Sequence, residues 1–139
     1  MVKVKTADPI IRVIDANLNR AKEGLRVCED ICRFILDSKP LSRQCKDLRH
    51  QLNAVVEKLG PAALVNSRDI ENDVGKPSTT TEMARSKVAD IFYANCQRVK
   101  ESVRVLEEFF KLVDKKLAED LKKIRYQVYA VEKKVVERI

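Results

Sequence analysis

The chain is 139 residues long, 45% hydrophobic and 35% charged, and its 28 Lys and Arg outweigh 21 Asp and Glu to give a formal net charge of +7. That length supports one ordinary core and excludes two domains of usual size, so a single domain over residues 1–139 is expected. No window approaches the run of about 18 apolar residues that a membrane span needs, and the opening MVKVKTADP has no apolar stretch behind its lysines, which predicts a soluble, unexported, cytoplasmic protein.

Only three Gly and four Pro occur, Trp is absent and aromatics make up 5%, a composition that favours helices. The first is signalled by Asp8 as N-cap and Pro9 at the first helical position, and should run to about Asp37. A second begins near Pro40 and ends at LGP, where Gly60 can take a positive φ and Pro61 blocks continuation. A third starts in STTTE, where Thr79 and Glu82 read as a capping box, and reaches about Val113. Asp114 then caps a fourth, Lys115 to about Glu137.

These elements repeat. ANLNRAKEGLRVCED, Ala16 to Asp30, returns as ANCQRVKESVRVLEE, Ala94 to Glu108, with eight of fifteen positions identical at an offset of 78 (94 minus 16). LRHQLNAVVEK of the second helix returns as IRYQVYAVEKK of the fourth, pairing Arg49 with Arg125 and Gln51 with Gln127 at an offset of 76 (127 minus 51). The expected fold is therefore all-α, a four-helix bundle made of a duplicated antiparallel hairpin, with pseudo-repeats over 9–60 and 80–138. Between them lies a loop, 61–79, within AALVNSRDIENDVGKPSTTT. A loop of that length in a small domain is either functional or a tether, and its charged residues ending in Gly75 are not linker composition.

On a helical wheel of about 100° per residue, Asn17 falls in the middle of the apolar stripe formed by Ile10, Val13, Ile14, Ala21, Gly24, Cys28, Ile31 and Ile35. Asn95 falls equally amid Val88, Ile91, Phe92, Val99, Ser102 and Leu106. A buried amide needs partners, so the two asparagines either fix helix register or face a ligand. Arg20 and Arg98 sit at the edge of the stripe, where a guanidinium can reach into a cleft while its stem covers apolar surface. Glu23, Arg26 and Asp30, like Glu101, Arg104 and Glu108, form charge ladders of the usually exposed kind.

No phosphate-binding GxxxxGK[ST] loop and no GxGxxG occur. His50 is the single histidine, and Cys28, Cys32, Cys45 and Cys96 lack CxxC spacing, so the thiols read as reduced, small core residues rather than a zinc site. What remains is arginine, suited to phosphate by its bidentate fork, and loop carboxylates able to hold Mg²⁺. The net positive charge fits a phosphorylated ligand or nucleic acid, and equally a merely solvated surface.

The phrases RVIDANLNRAKEGLRVCEDICRF, SRDIENDVG and YANCQRVKESVRVLEEFFK resemble the monofunctional hydroxymethylpyrimidine-phosphate kinase family of thiamine biosynthesis, a small domain found alone or fused ahead of thiamine-phosphate synthase. The resemblance runs from about Ile10 to Lys134. It implies transfer of the ATP γ-phosphoryl group, with Mg²⁺, to a phosphorylated pyrimidine, and a stand-alone form of the domain. The matching residues are Asn17, Arg20, Glu23, Arg26, Glu29 and Asp30, then Arg68, Asp69, Asp73 and Gly75, then Asn95, Arg98, Glu101, Arg104, Glu107 and Glu108. Asn72 stands where Gly is expected, and Cys28 and Cys32 replace aliphatic or small residues.

Within that frame Arg20 and Arg98 are expected to bind donor and acceptor phosphates, Arg68 to neutralise the transferring group, and Asp69 and Asp73 to hold Mg²⁺. Asn17, Asn95 and Glu101 belong to the expected substrate site, the asparagines as hydrogen-bonding groups, and Gly75 would let the loop turn closely over a ligand. The rivals are a basic helical module binding nucleic acid or a partner protein, disfavoured because acids interleave the basic residues, and a non-catalytic partner of thiamine-phosphate synthase. A homodimer is expected from the abundant helix surface.

Overall fold

Asp8 starts the first helix as its position promises: Oδ1 accepts from the N–H of Ile10 at 2.9 Å and of Ile11 at 3.4 Å, and Pro9 fills a position whose own N–H would have had no partner. In the computed structural model, which describes residues 8–139 apart from the side chains of residues 81 and 82, helix α1 spans Pro9–Asp30 and continues as a π-helical turn over Ile31–Ile35. There the Leu36 N–H bonds the Ile31 carbonyl at 3.0 Å, and Asp37, with φ 50°, reverses the chain. Ser38 caps α2, Lys39–Leu59, by accepting from the Leu41 N–H at 3.4 Å. The opening residues 1–7, on which the expectation of an unexported chain partly rests, lie outside those described.

Gly60, with φ 89°, makes the turn that the LGP sequence requires, and Pro61 opens a short helix, α3, over Pro61–Asn66. The expected loop 61–79 is thus helical at its start, and Leu64 of α3 is buried.

The third long helix departs from expectation. A short helix, α4, covers Thr80–Met83; the chain breaks at residues 84–87, and α5 runs Val88–Phe110. The reason is a carboxylate that the sequence reading passed over. Asp90 accepts from the Ser86 N–H (3.1 Å), the Ser86 hydroxyl (2.8 Å) and the Lys87 N–H (3.1 Å), which caps a helix at 88 and stops one from running through from 80. The expected Thr79–Glu82 capping box rests on the Glu82 side chain, outside the described residues. Asp114 caps α6, Lys115–Val136, through the Lys116 and Leu117 N–H groups, as expected.

The described residues form helices and no strand. Helix α1 packs most extensively on α5 and also on α2, while α6 packs on α5 and α2, so four long helices enclose one apolar core that includes Ile14, Leu18, Leu52, Phe92, Val99, Leu106, Phe110 and Leu121. Helices α1 and α5 approach closely at Gly24: a Cβ built there would lie 2.7 Å from Val99 Cγ2 and 3.0 Å from the Asn95 carbonyl oxygen. None of the helices is long and apolar enough to cross a membrane.

The ladder residues Glu23, Arg26, Asp30, Glu101, Arg104 and Glu108 are exposed, as expected, but their neighbours in the same phrases, Glu29 and Glu107, are buried, 5% and 3% exposed. Arg26 pairs with Glu29 at 3.1 Å and with Asp30 at 3.9 Å, rather than with Glu23. Glu29 also receives Arg49 from α2 at 3.1 Å, and Glu107 receives Arg104 and, from α6, Arg125. Each glutamate is the buried tie between two neighbouring helices, a tie that costs several kcal/mol when one partner is removed. Hydrogen bonding with Cys96, then burial, raises the Cys28 thiol far above its ordinary range, and Cys32 and burial raise Cys45 likewise; all four cysteines are free and buried.

Candidate functional site

The cleft of interest opens along the flank of α1 that α3 and the following loop cover. Its volume is about 760 Å³, and its wall carries Arg12, Asp15, Asn17 and Arg20 from α1, Arg68, Asp69, Asp73 and Lys76 from the loop, and Val105 from α5. Arg12, Asp15, Asn19 and Arg20 share one side of α1 within little more than two turns, so the helix delivers these polar groups to one face, with Asn17 at the edge of the wall nearer the core.

Asp15 and Arg68 tie the loop to the helix. Arg68 Nε donates to Asp15 Oδ2 at 2.7 Å and Nη2 donates to Oδ1 at 3.0 Å, while Asn19 Nδ2 also donates to Oδ1 at 3.2 Å. The Asp15 side chain is 7% exposed and that of Arg68 40% exposed, so the carboxylate sits beneath the guanidinium, whose remaining edge faces outward. The hydrogen bonds that Arg68 donates to Asp15 raise the Arg68 pKa further above its ordinary value.

The loop arranges its own carboxylates. Asp69 accepts from the Asn72 N–H at 3.1 Å and from Asn72 Nδ2 at 3.2 Å, contacts that hold its carboxyl below the usual range. Asp73 Oδ1 accepts from the Gly75 N–H at 2.9 Å. Neither Asn72 nor Gly75 has a positive φ, and Asn72, standing where Gly is expected, serves the loop by its amide. A Cβ at Gly75 would meet only Asp73 Oδ1, at 3.5 Å, which is ordinary contact, so no close approach requires glycine there.

Asn17 is 4% exposed and donates Nδ2 to the Val13 carbonyl at 2.8 Å, one turn earlier. Asn95 does the same to Ile91 at 2.8 Å. Each amide bonds its own helix rather than its counterpart, which leaves the Asn17 oxygen available to the cleft. Among the described residues Arg12, Arg20 and Lys76 make no side-chain hydrogen bond or ion pair. Unpaired cations beside a buttressed arginine, on a wall with three carboxylates, favour a polyanion that brings its own divalent cation.

Over 123 residues (134 minus 12, plus one) the chain matches the sequence model of the ThiD2 family, which covers residues 12–134. The chain belongs to that family. This ThiD2 chain is also 43% identical over 136 residues to a thiamine-phosphate synthase of Synechocystis sp., covering 94% of this chain and 38% of that protein. It is 40% identical over 131 residues to a thiamine-phosphate synthase of Nostoc punctiforme, 94% and 36% covered, and 38% identical over 122 residues to one of Rhodopirellula baltica, 87% and 32% covered. The chain thus spans about a third of the length of the curated relatives it matches. No solved structure matches it significantly.

Of the residues singled out by sequence, the cleft of the ThiD2 chain gathers Asn17, Arg20, Arg68, Asp69 and Asp73. Gly75 lies between two wall residues without lining the cleft, and Asn95, Arg98 and Glu101 are absent from its wall. Because Gly24 meets Asn95 and Val99 while Val105 shares the cleft with Asn17, α1 and α5 run antiparallel, and the second copy of the phrase points its polar residues elsewhere. Glu101 accepts instead from Gln97 at 2.9 Å.

Sequence reasoning missed Arg12, Asp15, Asn19 and Lys76. Asp15 lies on the polar side of the α1 wheel and is buried only because the loop folds over it, which periodicity within one helix cannot reveal. Arg12 opens the first recognised phrase and Lys76 follows the loop phrase, so their signal was proximity alone.

Proposed function

We propose that this chain transfers the γ-phosphoryl group of ATP to the phosphate of 4-amino-5-hydroxymethyl-2-methylpyrimidine phosphate, yielding the diphosphate and ADP. The single observation that carries this reading is the cleft in which unpaired Arg12, Arg20 and Lys76 meet Arg68 and the loop carboxylates. Membership of the ThiD2 family and relatives named thiamine-phosphate synthase support a place in thiamine biosynthesis.

In this reading an oxygen of the acceptor phosphate forms the new bond to the γ-phosphorus, the bond from that phosphorus to the bridging oxygen breaks, and ADP departs with the electron pair. No strong base is required, since the acceptor is already an ionised phosphate oxygen, and catalysis is positioning with charge neutralisation. Arg12, Arg20 and Lys76 anchor phosphate oxygens, the free edge of Arg68 meets the transferring group, and the Asn17 oxygen accepts from the pyrimidine amino group. Asp69 and Asp73 suit the Mg²⁺ of Mg-ATP: two carboxylates together with phosphate oxygens are a usual environment for that ion. Among the described residues no group of three or more His, Cys, Asp and Glu side chains could hold a metal unaided, which fits a cation carried in by its nucleotide.

The same proposal covers the architecture, read as two copies of one hairpin related by a pseudo-two-fold axis. Supporting it are the paired ties Glu29–Arg49 and Glu107–Arg125 and the contact of Gln51 with its own repeat partner, Gln127, at 3.2 Å.

Purified protein incubated with Mg-ATP and the pyrimidine monophosphate should form the diphosphate at the expense of ATP. Unchanged monophosphate would overturn the kinase reading. Binding to thiamine-phosphate synthase without ATP consumption, or salt-sensitive binding of nucleic acid, would replace it with one of the non-catalytic roles.

A further inference from the structure

We propose that Asp15 is a positioning residue of the cleft: through its two hydrogen bonds to Arg68 it pins the loop 67–76 onto α1 and fixes which edge of the guanidinium faces a bound phosphate. Asp15 touches no ligand in this proposal. It acts through Arg68.

A guanidinium presents five N–H groups in a plane. Asp15 takes the Nε and Nη2 edge at 2.7 and 3.0 Å, so that Nη1, which has no partner among the described residues, is the nitrogen left for an anion. The carboxylate cannot swing away. Its Oδ1 is held by Asn19 as well, from one turn along the same helix, and its side chain is buried against the covering segment.

The loop has few other anchors. Ser67, fully buried, binds the Leu64 carbonyl through its hydroxyl at 2.6 Å and ends α3. From Asp69 to Lys76 the hydrogen bonds are within the loop, Asn72 to Asp69, Gly75 to Asp73 and Lys76 to Asp73, and Val74 is 99% exposed. Among the described residues, then, Arg68 supplies the side-chain tie between the loop and the helix on which Arg12, Asn17 and Arg20 stand. A loop that carries two carboxylates and a lysine of the wall is registered to those residues through this one ion pair.

The kinetic part of the inference rests on the kinase reading, whereas the pinning of the loop does not, and the test separates them. Variants Asp15→Asn, Arg68→Ala and their combination are compared with wild type and with Asp114→Ala, which removes only the α6 cap. If Asp15 aims Arg68, Asp15→Asn lowers kcat by about tenfold to a hundredfold, as a misplaced transition-state group does, while KM, raised by the loosened Lys76, changes by a smaller factor. The double variant is then no slower than Arg68→Ala, and Asp114→Ala keeps full kcat despite a lower melting temperature. Unchanged kcat in Asp15→Asn, or losses in the double variant that multiply, overturns the proposal.

A second readout needs no turnover. A protease specific for glutamate cleaves after Glu71, an exposed loop residue; Asp15→Asn and Arg68→Ala should each speed that cleavage several-fold, and inorganic pyrophosphate should slow it in wild type more than in either variant. If wild type forms no diphosphate, the kinase reading fails and the cleavage rates alone decide. If Asp15→Asn does not fold, Arg68→Ala, altered on the half-exposed side of the pair, decides by the same measurement. Cleavage at the wild-type rate in folded variants overturns the pinning.

Discussion

Replacing Gly24 with alanine tests the close contact between α1 and α5. The added Cβ would stand 2.7 Å from Val99 Cγ2 and 3.0 Å from the Asn95 carbonyl oxygen, and neither neighbour yields easily. Val99 is β-branched, fully buried and stiff at χ1, and the carbonyl belongs to the backbone of α5. Overpacking costs about 1–3 kcal/mol, and two contacts this short against stiff neighbours place it in the upper part of that range, about 2–3 kcal/mol, against which alanine regains about 1 kcal/mol of helix propensity. The net is a destabilisation of roughly 1–2 kcal/mol, or a fall of about 4–8 °C in melting temperature for a chain of this size. Urea titration followed by circular dichroism reads it directly: the midpoint should fall with an unchanged slope. In a Val99→Ala background the nearer of the two contacts is gone, so the same substitution should cost less there. A Gly24→Ala protein as stable as wild type, or more so, would refute the close approach of α1 and α5.

Lys76→Ala removes one of the unpaired cations of the cleft without disturbing any described side-chain bond, and should raise KM for a phosphorylated substrate about tenfold or more, with the melting temperature unchanged; steady-state kinetics and a thermal scan check both. Glu107→Gln leaves Arg125 buried without its charge partner and should cost about 3 kcal/mol, measured as a lower urea midpoint, with Arg104 too exposed to add much. The four thiols, all buried and free, should react with a disulfide reagent no faster than the protein unfolds; a rapid stoichiometric reaction of native protein would contradict their burial.

The helices with strong local punctuation were legible in the sequence. Asp8–Pro9, Gly60–Pro61 and Asp114 act within one turn of chain, and the structure starts or stops helices at each. The start of α5 was not, because STTTE is also a good capping sequence and the two signals compete. Asp90, with three donors converging on it, wins the long helix, and the earlier signal makes only the one-turn α4. Burial of Glu29 and Glu107 was hidden for a different reason. A wheel shows only which side of one helix is apolar, whereas these glutamates are covered by Arg49 and Arg125 from helices 20 and 18 residues away. Cleft residues followed the same division, with Asn17 and Arg20 readable from the α1 stripe and Asp15 dependent on a partner 53 residues on.

The repeated phrase invites the idea of two equivalent sites, and the residues argue against it. At the offset of 78 that aligns the phrases, Asp15 corresponds to Tyr93 (93 minus 78) and Asn19 to Gln97 (97 minus 78). Tyr93 is 47% exposed and offers no carboxylate to receive an arginine. A second cleft, of about 790 Å³ between α5 and α6, does contain Tyr93 and Gln97, but its Lys100 is already paired with Glu132 at 2.9 Å, and among the described residues its wall comes from α5, α6 and the residue that ends α6, with no part of the loop 67–76. Covering segment, buttress and unpaired cations coincide only on α1. Asn95 and Arg98 are therefore free to keep the shape of the phrase, an amide bonded one turn back and an arginine at the edge of the stripe, without the neighbours that make Asn17 and Arg20 part of a cleft. In the proposed reading, the repeated phrase supplies a similar helix twice, and the connecting loop makes only the first copy part of the site.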